Sequence, residues 1–189
     1  MGILPRPFFA RDVLVVAQEL LGKHLTYLSK EGRLTGRIVE VEAYKGIGDP
    51  ASHAYRGSTS RNAILFKGPG FAYIYFIYGV HYCLNVTTTK RGVVLIRAIE
   101  PIDGIEIMRK RRNTERFTDL TNGPGKLTRS MGITKELYGV DLTTGKELFI
   151  TNPEDKEKFD IVSSKRIGIN VATEKPWRFY IKGNSFVSK

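Results

Sequence analysis

The sequence predicts an α+β fold, a single domain with helices packed beside a largely antiparallel sheet. Three observations carry that prediction. Segments with the two-residue period of strands outnumber segments with a helical period. The stretch Phe71–Ile99 reads as consecutive strands joined by short turns, which is a meander. The 189 residues show no linker, internal repeat or low-complexity tract, so one core spans 1–189 as one domain.

The elements follow in chain order. Asp12 is placed to cap a helix running to about Leu21; Val13, Val16, Ala17, Leu20 and Leu21 share a stripe, and Gly22 ends it. Lys23–Leu28 reads as a strand and Lys30–Gly32 as a turn into a second strand, Arg33–Tyr44. Lys45–Arg61 holds Gly46, Gly48, Pro50 and Gly57, so it reads as a loop, and it carries His53. Ala63–Phe66 fits one helical turn or a short strand. Phe71–Tyr78 is apolar on both faces and reads as a buried strand, broken by Gly79.

His81–Thr89 and Val93–Ile99 follow as strands around the turn Lys90–Gly92, and Glu100–Pro101 ends the sheet. Asp103 is placed to cap a helix to about Arg112, with Ile105 and Met108 inward. Its last turn, Arg109–Arg112, complements the helix dipole or meets phosphate. Thr121–Leu127 opens a short helix ending near Met131. Glu147–Ile150 reads as a strand and Asn152–Lys158 as a polar loop. Ile161–Ile169, interrupted by Arg166 and Gly168, and Trp177–Ile181 read as closing strands.

Charge narrows the function. The formal charge is +11 and the pI about 9.8, with 11% aromatic residues. Such an excess attracts polyanions, nucleic acid ahead of an anionic membrane surface. A single cysteine, Cys83, forbids an internal disulfide and suits a reducing compartment. Neither a signal-peptide pattern nor a run of about 18 apolar residues is seen, so a cytoplasmic location is expected.

Several chemistries lack their motifs. His24, His53 and His81 form no His-Glu-x-x-His pattern, so no metal site is expected. Gly125-Lys126 is followed by Leu127, which rules out a P-loop. Gly-x-Ser-x-Gly does not occur. Cys83 falls in a strand that reads as core, a poor place for a nucleophile.

What remains is a carboxylate among aromatics. In Gly36–Tyr44, alternation puts Val39, Val41 and Ala43 on one face, and Ile38, Glu40, Glu42 and Tyr44 on the other. Glutamate is depleted in strands, so two on one face conflict with the local pattern in the way functional sites do. An edge strand with solvated glutamates is the plain alternative. Tyr73, Tyr75 and Tyr78 crowd six residues beside Gly79, and Tyr82 lies on the return strand. Buried phenols need partners, whereas aromatics on a basic surface can stack on bases or wedge between them. A carboxylate can activate water against the base–sugar bond of a flipped nucleotide. Spacing leaves Glu40 and Glu42 equivalent.

These residues resemble a known family. Glu42-Ala-Tyr44, with His53 eleven residues past the glutamate, is similar to the catalytic segment of the alkyladenine (3-methyladenine) DNA glycosylases. The likeness continues in order through Arg61-Asn62, Gly70–Gly79, Asn85, Leu95–Pro101, Asn122–Leu127, Arg166–Ile169 and Arg178–Ile181. It covers nearly the whole chain. The loop from His53 to Arg61 is shorter than the family pattern, and Gly79–Tyr82 differs in detail.

The resemblance implies a curved, largely antiparallel sheet with flanking helices and a protruding β-hairpin. It implies a monofunctional enzyme that flips alkylated or deaminated purines (3-methyladenine, hypoxanthine, ethenoadenine) out of duplex DNA and hydrolyses the N-glycosidic bond. Glu42 matches the general base; Arg97 and the Ile167 carbonyl match groups that hold the attacking water. Tyr44, His53 and Tyr75 match the walls around the flipped base, and Asn85 matches the residue that rejects guanine. Tyr78 matches the wedge, and Leu95 and Lys126 are assigned with it to DNA contact. No cofactor is implied. The partner is double-stranded DNA with damaged purines, met by a monomer with no membrane partner and, in a bacterium, at the nucleoid. A non-catalytic nucleic-acid-binding domain is the alternative reading.

Overall fold

The computed structural model describes residues 2–155 and 157–188. Position 156, within the polar loop 152–158, lies outside the described residues. The chain forms α1 (Arg6–Phe9), α2 (Val13–Leu20), β1 (His24–Ser29), β2 (Gly32–Tyr44), β3 (Ala72–Ile77), β4 (His81–Thr87) and β5 (Val93–Asp103). It continues as α3 (Ile105–Arg112), α4 (Pro124–Met131), β6 (Leu148–Thr151), β7 (Ile161–Ser164) and β8 (Arg178–Ile181). The strands make one curved, unclosed antiparallel sheet in the order β3-β4-β5-β2-β1-β6, with β8 also paired to β2 and β7 to β8. This is the α+β domain that the sequence predicts.

α2 starts where the Asp12 side chain accepts from the Leu14 amide at 2.8 Å. Its buried stripe is Val13, Val16, Ala17 and Leu20. That face meets β2 and β5 in a core that also takes Leu25, Leu34, Ile96, Ile99, Met108 and Ile150. Hydrophobic burial along this interface holds the sheet's back face closed.

β2 is the central strand. It pairs β1 along its first half, β5 along nearly its whole length and β8 at Glu40–Glu42. The edge-strand alternative therefore fails: Glu40 and Glu42 are both 0% exposed. Register shifts between Ile38 and Glu40 and between Glu40 and Val41 bend the strand there. Bulges re-aim side chains beside active sites. One consequence corrects the alternation, because Ile38 joins Val39, Val41 and Ala43 in the apolar core.

Other expectations need correction. Arg6–Phe9 is a short helix that the sequence reading did not pick out. Strand β3 is not buried on both faces, for Phe76 is 48% exposed. Its partner β4 reaches β5 only from Asn85 to Thr87, so the distal hairpin projects past the sheet. Strand β5 runs through Pro101 to Asp103 instead of stopping at Glu100–Pro101. Pro101 sits opposite Gly36 at a register shift, where a missing N–H is tolerated.

Gly104, not Asp103, holds the cap position of α3, with no side-chain cap; Asp103 Oδ1 accepts from the Gly104 amide. Ala63–Phe66 is a 3-10 turn. The strand expected at Ile161–Ile169 ends at Ser164, and the residues after it leave β7's pairing with β8 to meet the end of β2, where the Ile167 amide donates to Glu42.

Candidate active site

A cavity of about 300 Å3 opens between the β3–β4 hairpin, the end of β2, the start of α4 and the segment 167–169. That volume is at the small end for ligand sites and suits one planar group. Its walls include Tyr44, His53, Tyr75, Asn85, Leu95, Arg97 and Ile167, with Tyr78 at the mouth. The fold thus brings together residues from six separate stretches of chain. Among the described residues no lysine lines the cavity.

Glu42 lies behind this wall. Its Oε1 accepts from the Ile167 amide at 2.7 Å and lies 3.1 Å from Arg97 Nη1. Its Oε2 accepts from the Tyr44 hydroxyl at 2.8 Å. All three partners line the cavity. A carboxylate offers about four acceptor positions, and these three contacts are the ones Glu42 makes among the described residues. Burial, followed by the Glu42 charge and hydrogen bond, raises the Tyr44 pKa and keeps the phenol a donor.

Glu40 faces the same side and does something else. Its Oε1 meets Arg97 Nε at 2.8 Å, Arg178 Nε at 2.7 Å and the Ser188 hydroxyl at 2.8 Å, and its Oε2 accepts from the Ser188 amide at 2.7 Å. All four of these contacts come from protein groups that hold Glu40 in a buried ion network. Burial opposes charge on Arg97, but Glu42 and Glu40 outweigh it and hold its pKa above the ordinary value. Geometry therefore separates two glutamates that spacing could not.

The aromatic wall is built by strand pairing. Tyr73 and Tyr75 project together, 5.3 Å apart between ring centroids, and Tyr75 sits opposite Cys83. His53 packs edge-on to Tyr75 at 4.6 Å, and its Nδ1 lies 2.7 Å from the Tyr73 hydroxyl. Burial, then Arg61, lowers the His53 pKa and favours the neutral ring. Burial raises the Tyr75 and Cys83 pKa values, so both stay protonated. The Arg61 guanidinium lies 5.0 Å from the centre of the Tyr75 ring. Asn85 is 2% exposed, and its amide donates to the Tyr73 carbonyl at 3.0 Å.

The residues assigned to DNA contact divide. Tyr78 is 77% exposed at the hairpin tip. It has φ 55° and Gly79 has φ 69°, the positive angles that a right-twisted hairpin asks of its central turn residues. A tyrosine there is strained, a common mark of function. Leu95 is 4% exposed; it lies in the cavity wall opposite Glu42 in register, not on an open face. Lys126 is tied on α4 to Asn122 Oδ1 at 2.7 Å and to Asp119 at 3.3 Å. α4 itself packs tightly on the hairpin: a Cβ at Gly125 would stand 2.7 Å from the His81 ring.

The basic turn of α3 is mostly committed internally. Arg109 pairs with Glu115, Arg111 with Glu31, and Arg112 with the Asp119 carbonyl. The sequence reading also missed Asp49, Arg178, Ser188 and the Ile167 amide. Arg166 did leave a signal, an arginine interrupting an apolar run. Among the described residues no three His, Cys, Asp or Glu side chains gather as a metal site, and no helix is long and apolar enough to cross a membrane.

Fold and cavity define a class of protein: a basic, single-domain α+β protein with a base-sized aromatic cavity backed by a buried carboxylate. The chain belongs to the methylpurine-DNA glycosylase family, whose model matches residues 7–185. It is a DNA glycosylase, a repair hydrolase whose substrate is DNA. A Carboxydothermus hydrogenoformans protein, provisionally named a 3-methyladenine DNA glycosylase, is 50% identical over 190 residues, covering 99% of each chain. A Clostridium acetobutylicum protein with the same provisional name is 50% identical, covering 98% of this chain and 97% of its own. One from Methanoculleus marisnigri, likewise named, is 46% identical across 98% of both.

Proposed function

We propose that this glycosylase draws alkylated or deaminated purines, such as 3-methyladenine, hypoxanthine and ethenoadenine, out of duplex DNA and releases them by hydrolysis. The observation that carries the reading is the placement of Glu42: fully buried, with Arg97, Tyr44 and the Ile167 amide joining it to the cavity wall.

The nucleotide rotates into the cavity at a cost of a few kcal/mol, least for a damaged or mispaired base. Tyr78 fills the vacated place in the stack. Tyr44, His53 and Tyr75 surround the base, and electron-poor or cationic purines gain on tyrosine faces by roughly 0.5–2 kcal/mol each. Asn85, held by the Tyr73 carbonyl, crowds the exocyclic amino group of normal guanine.

Water then attacks the anomeric carbon. Its proton passes to the Glu42 carboxylate, and the glycosidic electron pair leaves with the base nitrogen; a cationic base departs neutral, and a neutral one takes up a proton as it departs. Arg97 and the Ile167 carbonyl orient that water. The Glu42 charge also stabilises the developing oxocarbenium ion, as in sugar hydrolases. The products are a free base and an abasic site. Water, not an enzyme amine, is the nucleophile in this reading, so the abasic strand is left uncut. The enzyme acts as a monomer in the cytoplasm, at the nucleoid in a bacterium.

The test is excision from duplexes carrying each lesion, read by alkaline cleavage of abasic sites, with and without chelator. The expected result is release that survives chelator and falls at least about 100-fold in Glu42→Gln, the usual worth of a general base, while lesion binding persists. Binding without release from any lesion would move the protein to the non-catalytic class.

A further inference from the structure

A buried ion pair outside the water-activating group ties the cavity together. Arg166 and Asp49 have fully buried side chains. The contact is two-pronged: Nη1 to Oδ2 at 2.5 Å and Nη2 to Oδ1 at 3.0 Å. Nη1 also donates to the Ala43 carbonyl at 3.0 Å and Nη2 to the Ala172 carbonyl at 3.4 Å. Asp49 in turn accepts from the amides of Lys45 and Ala51 at 3.2 and 3.1 Å. Among the described residues, Nε of this guanidinium has no partner.

Three segments meet at this pair. One is the end of β2, just past Glu42. Another is the loop that carries His53. The third is the segment whose next residue, Ile167, donates to Glu42 at 2.7 Å. The guanidinium carbon also lies 4.5 Å from the centre of the Tyr44 ring, and Tyr44 is the second donor to Glu42. Two of the three groups that bind the Glu42 carboxylate are therefore set by Arg166, one through the backbone and one through the ring.

Stability does not account for such a pair. Desolvating two charges costs as much as their attraction returns, and apolar side chains of similar volume commonly serve as well or better. Fixed directionality is what a forked guanidinium adds. We propose that Arg166 and Asp49 are a positioning pair for excision, holding the Ile167 amide and the Tyr44 hydroxyl on Glu42. This rests on the reading of Glu42 as the base.

The experiment uses the full chain and an ethenoadenine duplex. Single-turnover excision at saturating enzyme, duplex Kd and the urea midpoint are measured for the parent, Arg166→Met with Asp49→Asn, Arg166→Lys, and Glu42→Gln. The double variant removes both charges and keeps an acceptor for the Lys45 and Ala51 amides. The expected result is Kd within threefold of the parent but a rate lower by about 100-fold, the scale of a 1 Å misplacement. Arg166→Lys, which retains charge without the fork, falls between. If the double variant does not fold, Arg166→Lys carries the same rate-against-Kd reading. A rate within threefold of the parent in a folded variant overturns the pair's role, as does a loss confined to Kd. If Glu42→Gln loses excision while these variants keep it, only the positioning proposal falls. If Glu42→Gln excises normally, the reading of Glu42 itself falls.

Discussion

Arg97 joins the two carboxylates of one strand, with Nε 2.8 Å from Glu40 and Nη1 3.1 Å from Glu42. Glu40 also neutralises Arg178 and binds Ser188, all of it buried. Removing one partner of such a network leaves uncompensated charge, at a cost on the order of 3–5 kcal/mol. Glu40→Gln should therefore lower unfolding stability by several kcal/mol in urea titrations. It should also reduce excision by loosening Arg97. An unchanged urea midpoint would show that Arg97 and Arg178 find other partners.

Tyr78 holds a positive φ that suits glycine. Replacing it with Gly should relieve roughly 1 kcal/mol of backbone strain. The same change deletes the wedge. Tyr78→Gly should raise the urea midpoint while weakening capture of an extruded base, read by ethenoadenine fluorescence. A variant that is both less stable and equally able to hold the flipped base would contradict both halves.

His53 and His24 each have a pKa below the ordinary value of 6.5, burial being the first cause, with Arg61 and Arg37 respectively adding to it. The folded chain thus holds fewer protons on these rings than the unfolded chain. Their contribution to stability is complete above 6.5 and is lost as pH falls below it toward the folded-state values. Urea midpoints between pH 7.5 and 5 should fall with acid, and His53→Gln should flatten part of that slope. A slope identical in His53→Gln would place the effect elsewhere.

A formal charge of +11 makes DNA association salt-dependent through counterion release. The logarithm of duplex affinity should fall linearly with the logarithm of salt. Arg56 is exposed in the loop beyond His53, where it can meet a phosphate, and Arg56→Ala should reduce the slope by about 1. Arg109 and Arg111 already pair with Glu115 and Glu31, so replacing either should change the slope less.

Much of the sheet was legible because strand periodicity and turn residues act locally. The Asp12 cap, the Gly22 stop and the hairpin break at Gly79 all sit where short-range geometry places them. Errors arose where tertiary contacts overrode local pattern. Phe76 looked like core by composition but projects because β5 does not extend beside the distal hairpin. Ile161–Ile169 looked like one strand, yet Arg166 leaves the sheet to meet Asp49, 117 residues away in the chain.

By itself the sequence determined the α+β class, the basic character, the crowding of tyrosines at the hairpin and the presence of carboxylates on β2. Resemblance to a family then favoured Glu42. Only the tertiary structure decided how the two glutamates differ: Glu40 is held by Arg97, Arg178 and Ser188, while Glu42 is held by Arg97, Tyr44 and the Ile167 amide, all of which line the cavity. The reason is physical. Period and propensity are set by neighbours in the chain, whereas a buried carboxylate takes its role from donors supplied by distant segments.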